Sequence, residues 1–354
     1  MNIYIKVDVH PTIGIGHIMR CLNFLSYYDN SKYNFSFICK KYKNINLDTE
    51  KCINKIYKKI QYQYKIHFIE LENDKYIEKN NMESWLGEPY HEDANKTIKI
   101  IQDGDIIIID HYAIDKRWEL IIKNHVKKII VIEDFIKRKH YCDILINCTV
   151  NENCCYKDLI NDNCDFKLGM NYAIINNFFY NQDIQKREIN RISIFISGSD
   201  NTNETEKIIK FCNDKKLNNK FIFDVIIGAL NKNYSSIKNF CEKNKNFNIY
   251  YNISNIYEIF NRSYISIGAL GQSQLERIAL KLPSIVISIS ENQNNTIANL
   301  INSNTFLFLG SIPIDYNGML EKSIENICNK EIYLKMQKNC KEFLKKNNIK
   351  NILH

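Results

Sequence analysis

No run of eighteen apolar residues occurs in this chain of 354, so no membrane-spanning helix is predicted. Nor is a secretory leader predicted, because the second residue already opens a strand-like run with charges inside it. The twelve cysteines are therefore expected to be free thiols of a cytoplasmic protein. Cys148, Cys154, Cys155 and Cys164 cluster, but without the two-residue pairing of zinc sites, so neither a metal nor a cofactor is expected. Proline (4) and glycine (11) are scarce, which gives each remaining glycine more weight as a mark of backbone geometry. A large excess of one charge is missing too: 48 basic against 40 acidic residues leave +8, mixed along most of the chain. That balance fits an anionic small ligand. With no RNA- or DNA-binding signature beside it, neither nucleic acid nor a membrane is expected as a partner.

What is present is an alternation of short β-branched runs with helical patterns. Strands are predicted at 2–8, 34–40, 64–71, 105–110, 127–132 and 143–147, then at 191–197, 220–228, 246–251, 264–268, 284–288 and 305–309. Helices are predicted between most of them, at 17–28, 91–102, 114–125, 204–216, 253–262, 271–280, 291–302 and 331–346. The runs Ile106–Ile109 and Ile285–Ile287 are apolar at every position, as parallel strands covered on both faces require. The expected fold is α/β, with two doubly wound parallel-sheet domains facing a cleft, 1–180 and 181–354. The polar, aperiodic stretch 176–191 marks the boundary, and the last helix is a candidate to pack back on the first domain.

Such sheets bind ligands beyond the carboxyl ends of their strands. Gly14-Ile15-Gly16-His17 follows the first strand and opens a helix, where free N–H groups favour an anion and the dipole favours a neutral histidine able to act as a base. Asp110-His111-Tyr112 follows the isoleucine strand: Asp110 suits a structural role and Tyr112 a ligand hydroxyl. Glu133-Asp134 can orient His17 or cap the next turn. In the second half, Gly198 and Ser199 lead into a helix that offers N–H groups to a phosphate, with capping by Asp200 or Thr202 as the competing explanation. Gly268 and Gly271 lead into a helix carrying Glu276, placed to accept from a ribose diol, and Asn292-Gln293 follows the strand at 284–288.

Taken in order, these segments resemble the UDP-2,4-diacetamido-2,4,6-trideoxy-β-L-altropyranose hydrolases of pseudaminic acid biosynthesis (the PseG family). The matching pieces are Gly14–Leu22 read as GxGHxxRCL, Trp85-Leu86-Gly87 with Asp93-Ala94, Asp110-His111-Tyr112 with Trp118-Glu119, and Leu145-Ile146-Asn147. Leu168-Gly169 with Tyr172-Ala173, Ser197–Asp200, Gly268–Gly271 with Glu276-Arg277, Leu282-Pro283-Ser284 and Asn292-Gln293 complete the set. That family is similar to the peptidoglycan UDP-N-acetylglucosamine transferase, which has the two-domain GT-B fold. The resemblance implies metal-independent, inverting hydrolysis of a UDP-sugar, the nucleotide held mainly by the second domain. It makes His17 the base, places Tyr112 and Asn292 around the substrate, and makes Glu276 the ribose ligand. Gly14, Gly16, Asp110, Gly198, Ser199, Gly268, Gly271 and Gln293 complete the expected site. Departures are Lys6 and Asn176, where arginines are expected, Leu275 for a tryptophan, and Ser197-Gly198 for a glycine pair. The change at Asn176 bears on the sugar more than on the reaction class. A transferase on the same fold and a silent nucleotide-sugar binding protein are the alternatives.

Overall fold

A computed structural model describes the chain apart from residues 43, 44, 46, 72–81, 151, 152, 181, 183–185, 254, 291, 292, 294–299, 345, 346 and 354, and apart from the side chains at 48, 82, 83, 153 and 154. The chain forms two units, Met1–Ile174 with Asn347–His354, and Ile175–Lys346.

The first unit holds seven strands: β1 (Asn2–Lys6), β2 (Asn34–Lys41), β3 (Lys65–Glu70), β4 (Ile106–Ile109), β5 (Lys128–Ile132), β6 (Ile144–Asn147) and β7 (Asp165–Leu168). They are parallel, in the order β3-β2-β1-β4-β5-β6-β7. The all-isoleucine strand is central and wholly buried, with Ile108 beside Ile5 of β1 and Ile107 beside Ile129 of β5. Each such isoleucine contributes roughly 1.5–3 kcal/mol by leaving water. The strand missed in the sequence is β7, a four-residue edge strand whose Asp165 and Lys167 break any apolar run. Strand order reverses between β1 and β4, so the crevice of this sheet opens beyond their carboxyl ends.

The unit also reclaims the chain's last residues, which the expected boundary places in the second domain; the last helix, Lys330–Phe343, the expected candidate to pack back, belongs to the second unit. The Asn347 amide donates to the Tyr27 hydroxyl at 2.8 Å and the Ala173 carbonyl at 3.1 Å, and Tyr28 donates to the Ile349 carbonyl. Ile349, Ile352 and Leu353 are buried, which ties the segment down by apolar burial. Helix Leu47–Gln61 buries Ile53, Tyr57 and Ile60 and turns Lys51, Lys55, Lys58 and Lys59 to water, a solvated basic face.

The second unit holds β8 (Glu188–Phe195), β9 (Ile222–Ile227), β10 (Phe247–Tyr251), β11 (Ser263–Ala269), β12 (Ser284–Ser288) and β13 (Leu307–Ser311). These are parallel in the order β10-β9-β8-β11-β12-β13, with the reversal between β8 and β11. Both sheets are thus doubly wound, as the alternating patterns predict. The helix expected at 291–302 falls mostly outside the described residues. The expected linker ends in a buried anchor: Arg187 donates to the carbonyls of Leu280 at 2.6 Å and Lys281 at 2.8 Å, just past helix Gln272–Ala279. Among the described residues no helix is long and apolar enough to cross a membrane.

Candidate active site

The turn after β1 begins with a backbone that only glycine adopts readily: Gly14 has φ +82°, and its N–H donates to the His10 carbonyl at 2.7 Å. Helix Gly16–Leu25 follows, with no side chain capping its start and no acidic residue in its first turn. Among the described residues, nothing beyond the chain neighbours lies within 4 Å of where a Cβ on Gly14 or Gly16 would stand. His17 therefore stands at an open helix mouth, at the switch point of the first sheet.

Its ring is oriented by Asp110, at the end of β4. His17 Nδ1 lies 2.6 Å from Asp110 Oδ1. Burial works against ionisation of Asp110, but Arg20 and then His17 outweigh it and hold the carboxyl well below its ordinary range. An ionised carboxylate can only accept, so Nδ1 carries the proton, and in the neutral ring Nε2 keeps its lone pair. Arg20, one helical turn after His17, locks this carboxylate from the other side, with Nε to Oδ2 at 2.9 Å and Nη2 to Oδ1 at 2.7 Å. Its remaining Nη1 grips Asp134, after β5, at 2.6 and 2.8 Å. Tyr112 donates its hydroxyl to the same Asp134 at 2.6 Å and packs edge-on against the His17 ring, 4.4 Å between centroids. Trp85 and Phe135 flank Tyr112 at 5.9 and 4.7 Å, so an aromatic wall adjoins the histidine.

Two expectations sharpen here. Asp110 orients His17, while Glu133 takes the other role open to it and caps the next turn by accepting the Asp134 and Phe135 N–H groups. Tyr112 is committed to Asp134 as a donor, which leaves only its oxygen lone pairs for a ligand hydroxyl. His111 turns inward: its Nδ1 accepts the Ala113 N–H at 3.1 Å and its Nε2 faces Asp8 at 3.1 Å. It joins a buried ionic cluster in which Lys6 lies 3.7 Å from Asp8 and 3.2 Å from Asp93, and Lys40 pairs with Asp93 at 2.7 Å and with Glu88. Trp118 donates to Asp93 at 2.7 Å. Burial opposes the charge on Lys6, but Asp8 and Asp93 more than offset it and push the ammonium up. Lys6, fully buried, is therefore a structural cation and not a ligand for an anion. Arg20 and this cluster were missed in the sequence; Arg20 lay inside the Gly14–Leu22 motif, but its partners are 90 and 114 residues away.

In the second unit Gly198 and Ser199 lie on the carboxyl edge of β8, half-buried. The helix behind them, Glu204–Asp214, is not open. Asp200 takes the N–H groups of Glu204 and Thr205, both at 2.9 Å. Glu204 and Glu206 add negative charge in its first turn. The expected phosphate site at this helix end is corrected: a carboxylate of the chain already occupies it. The turn after β11 differs. Gly268 is required by packing, since a Cβ there would lie 2.4 Å from Arg277 Nη1 and 2.5 Å from the Phe195 carbonyl. Among the described residues, the neighbour within 4 Å of where a Cβ on Gly271 would stand is Gln293 Nε2, at 3.7 Å. Gln293 Oε1 accepts the Ile289 N–H at 2.9 Å, which fixes the amide and leaves its nitrogen to donate. Glu276 sits one turn into helix Gln272–Ala279; burial pushes its carboxyl up to about 7, Arg277 offsetting part of this. Asn292 lies outside the described residues. Asn176 caps the short helix Asn177–Tyr180 by accepting the Phe178 N–H at 3.0 Å, and Leu275 is buried.

The eleven described cysteine side chains are free, Cys142 and Cys164 facing each other at 3.7 Å, and Cys154 lies outside the described side chains. Among the described residues no group of three or more His, Cys, Asp or Glu side chains is arranged to hold a metal ion.

No known family profile matches the chain. In sequence it is 28% identical over 196 residues to the UDP-2,4-diacetamido-2,4,6-trideoxy-β-L-altropyranose hydrolase of Campylobacter jejuni, covering 54% of this chain and 69% of that protein. It is also 28% identical over 214 residues to the uncharacterized protein MJ1062 of Methanocaldococcus jannaschii, covering 57% of this chain and 43% of that protein. In structure it is similar to MurG of Acinetobacter baumannii, with a TM-score of 0.62 at 8% identity over 99% of this chain and 97% of that one. Medicago truncatula UGT71G1, solved with UDP-glucose, gives 0.62 at 12% identity over 97% and 93%. The chain thus has the GT-B fold and is similar in sequence to a UDP-sugar hydrolase.

Proposed function

We propose that this protein hydrolyses a UDP-linked 2,4-diacetamido-2,4,6-trideoxy sugar, without a metal and with inversion, for nonulosonic (pseudaminic) acid synthesis. The observation that carries the reading is the Arg20–Asp110–His17 set at an open helix mouth. His17 Nε2 takes a proton from water, the water oxygen attacks the anomeric carbon, and the bond from that carbon to the diphosphate oxygen breaks. The products are the free sugar and UDP. General-base help of this kind is worth roughly 100- to 10,000-fold. The aromatic wall of Trp85, Tyr112 and Phe135 suits the apolar parts of a deoxy, acetamido sugar. In the second unit, Gly268, Gly271, Gln293 and Asn292 take the diphosphate end, with Gly198 and Ser199 on the same sheet edge, and Glu276 takes the ribose. Neutral amide and backbone donors in that role stabilise the charge that builds on departing UDP.

The same base can deprotonate an acceptor hydroxyl, and the fold is shared with MurG. Purified protein incubated with the altrose-configured UDP-sugar alone, followed at the anomeric proton by NMR, separates the two. Free sugar of inverted configuration supports hydrolysis. Turnover only after an acceptor is added supports transfer, and binding without turnover supports neither.

A further inference from the structure

Behind the His17 set lies a second buried cluster, Glu119, Glu133, Arg138 and His140, which no step above uses. His140 is 1% exposed, with Nδ1 2.6 Å from Glu119 Oε1 and Nε2 2.6 Å from Glu133 Oε2. Two carboxylates can only accept, so both ring nitrogens donate and the ring is an imidazolium. Burial works against that charge, but Glu119 and Glu133 outweigh it and raise His140 to about 9.

Glu133 in turn fastens two loops of the active site. Its Oε1 accepts the N–H groups of Asp134 at 2.8 Å and Phe135 at 2.7 Å, shaping the turn from which Asp134 reaches Arg20 and Tyr112. Its Oε2 also takes Arg138 Nη2 at 2.6 Å. Arg138 Nη1 then donates to the carbonyls of His111, Tyr112 and Ile114 at 3.1, 2.7 and 2.9 Å, fixing the turn after β4 that carries Asp110. Glu119 ties the cluster to helix Lys116–Ile122 and accepts the Tyr141 N–H at 2.5 Å. The groups facing His140 are thus Glu119 from that helix and Glu133 from the turn after β5, with Arg138 sharing the Glu133 oxygen.

We propose that His140 is a positioning residue, which clamps Glu119 to Glu133 and thereby holds the two loops bearing Asp110, Tyr112 and Asp134 in the register that orients His17. It rests on the reading of His17 as the base. Loss of the clamp lowers turnover more than substrate affinity, because the proposed contacts to the UDP lie in the second unit and only the sugar contacts of Tyr112 and Phe135 lie on these loops.

The test compares the full chain with its His140→Gln and Glu119→Gln variants. Hydrolysis of the altrose-configured UDP-sugar by His140→Gln is expected to show kcat lower by roughly tenfold to a hundredfold, with KM within about twofold. Wild-type kcat is expected to fall as pH rises through about 9, and Glu119→Gln to move that limb toward the ordinary histidine range. The 15N signals of the His17 ring supply a readout that needs no turnover: a single Nδ1-protonated form in the wild type, mixed tautomers in His140→Gln. If the wild type hydrolyses nothing, the functional reading fails and the ring signals still decide the clamp. A folded His140→Gln with wild-type kcat and unchanged His17 signals overturns the proposal. Should that variant not fold, an alkaline limb unmoved in Glu119→Gln overturns it.

Discussion

Two helices in this chain follow a strand and a glycine-bearing turn, nine or ten residues past the strand end, and they use their first turns in opposite ways. Helix Gly16–Leu25 has no cap from its own side chains and carries His17 at an open mouth. Helix Glu204–Asp214 is closed by Asp200, which spends both carboxylate oxygens on its N–H groups. In sequence the two read alike, as small residues after a strand. What separates them is whether a carboxylate lies close enough along the chain to turn back: Asp200 stands four residues before Glu204, whereas the nearest acid to His17 in sequence, Asp8, is engaged by Lys6 and His111. A short glycine motif therefore marks where a phosphate site can be, and the charge beside it decides whether the site is open.

The largest effect that bears on this contrast is expected from Asp110→Asn. An amide no longer imposes Nδ1 protonation, so UDP release should fall by roughly 100- to 10,000-fold with folding kept. A loss under about threefold would mean that the carboxylate does not set the tautomer. Next is Lys6→Ala, which leaves Asp8 and Asp93 buried beside an empty place. Urea unfolding should show a loss of about 3–5 kcal/mol. A near-neutral result would contradict the reading of Lys6 as a structural cation.

Glu276 tests the second unit. Only its ionised form accepts from both ribose hydroxyls, so UDP affinity should strengthen as pH rises through about 7 and then level off. Glu276→Gln should flatten that curve and cost roughly 1.5–3 kcal/mol of binding, read by calorimetry. The sign for folding is opposite. The folded state holds this proton more tightly than the unfolded one, so the unliganded protein loses stability from Glu276 as pH rises from 4.5 to about 7. The smallest effect is expected from Asp200→Ala, about 0.5–2 kcal/mol of stability for a lost helix cap, with UDP binding retained. If UDP binding vanished while stability held, Asp200 would belong to the ligand site and the contrast between the two helix mouths would be wrong.

Most of the fold was written locally. Apolar β-branched runs such as 106–109 and 285–287 announce buried parallel strands, and twelve of the strand positions follow from such runs with their helical spacers. The edge strand β7 lacked that signal. The site was legible where one segment carries it, as in Gly14–His17. It was not legible where chemistry depends on distant partners. Arg20 shows nothing in sequence of its grip on Asp110 and Asp134, and Arg187, inside an apparent linker, shows nothing of the helix end it holds. Of Glu133-Asp134, Glu133 shapes its own turn, one of the roles the sequence offers, whereas the reach of Asp134 to Arg20 leaves no mark in sequence.

The most direct test of the central claim is the rate of UDP release from the altrose-configured UDP-sugar, with no acceptor present, by the wild type and by His17→Ala. The account predicts release by the wild type and a loss of roughly 100-fold or more in the variant, with UDP still bound. Equal rates in the two proteins, or release only when an acceptor is supplied, would contradict it.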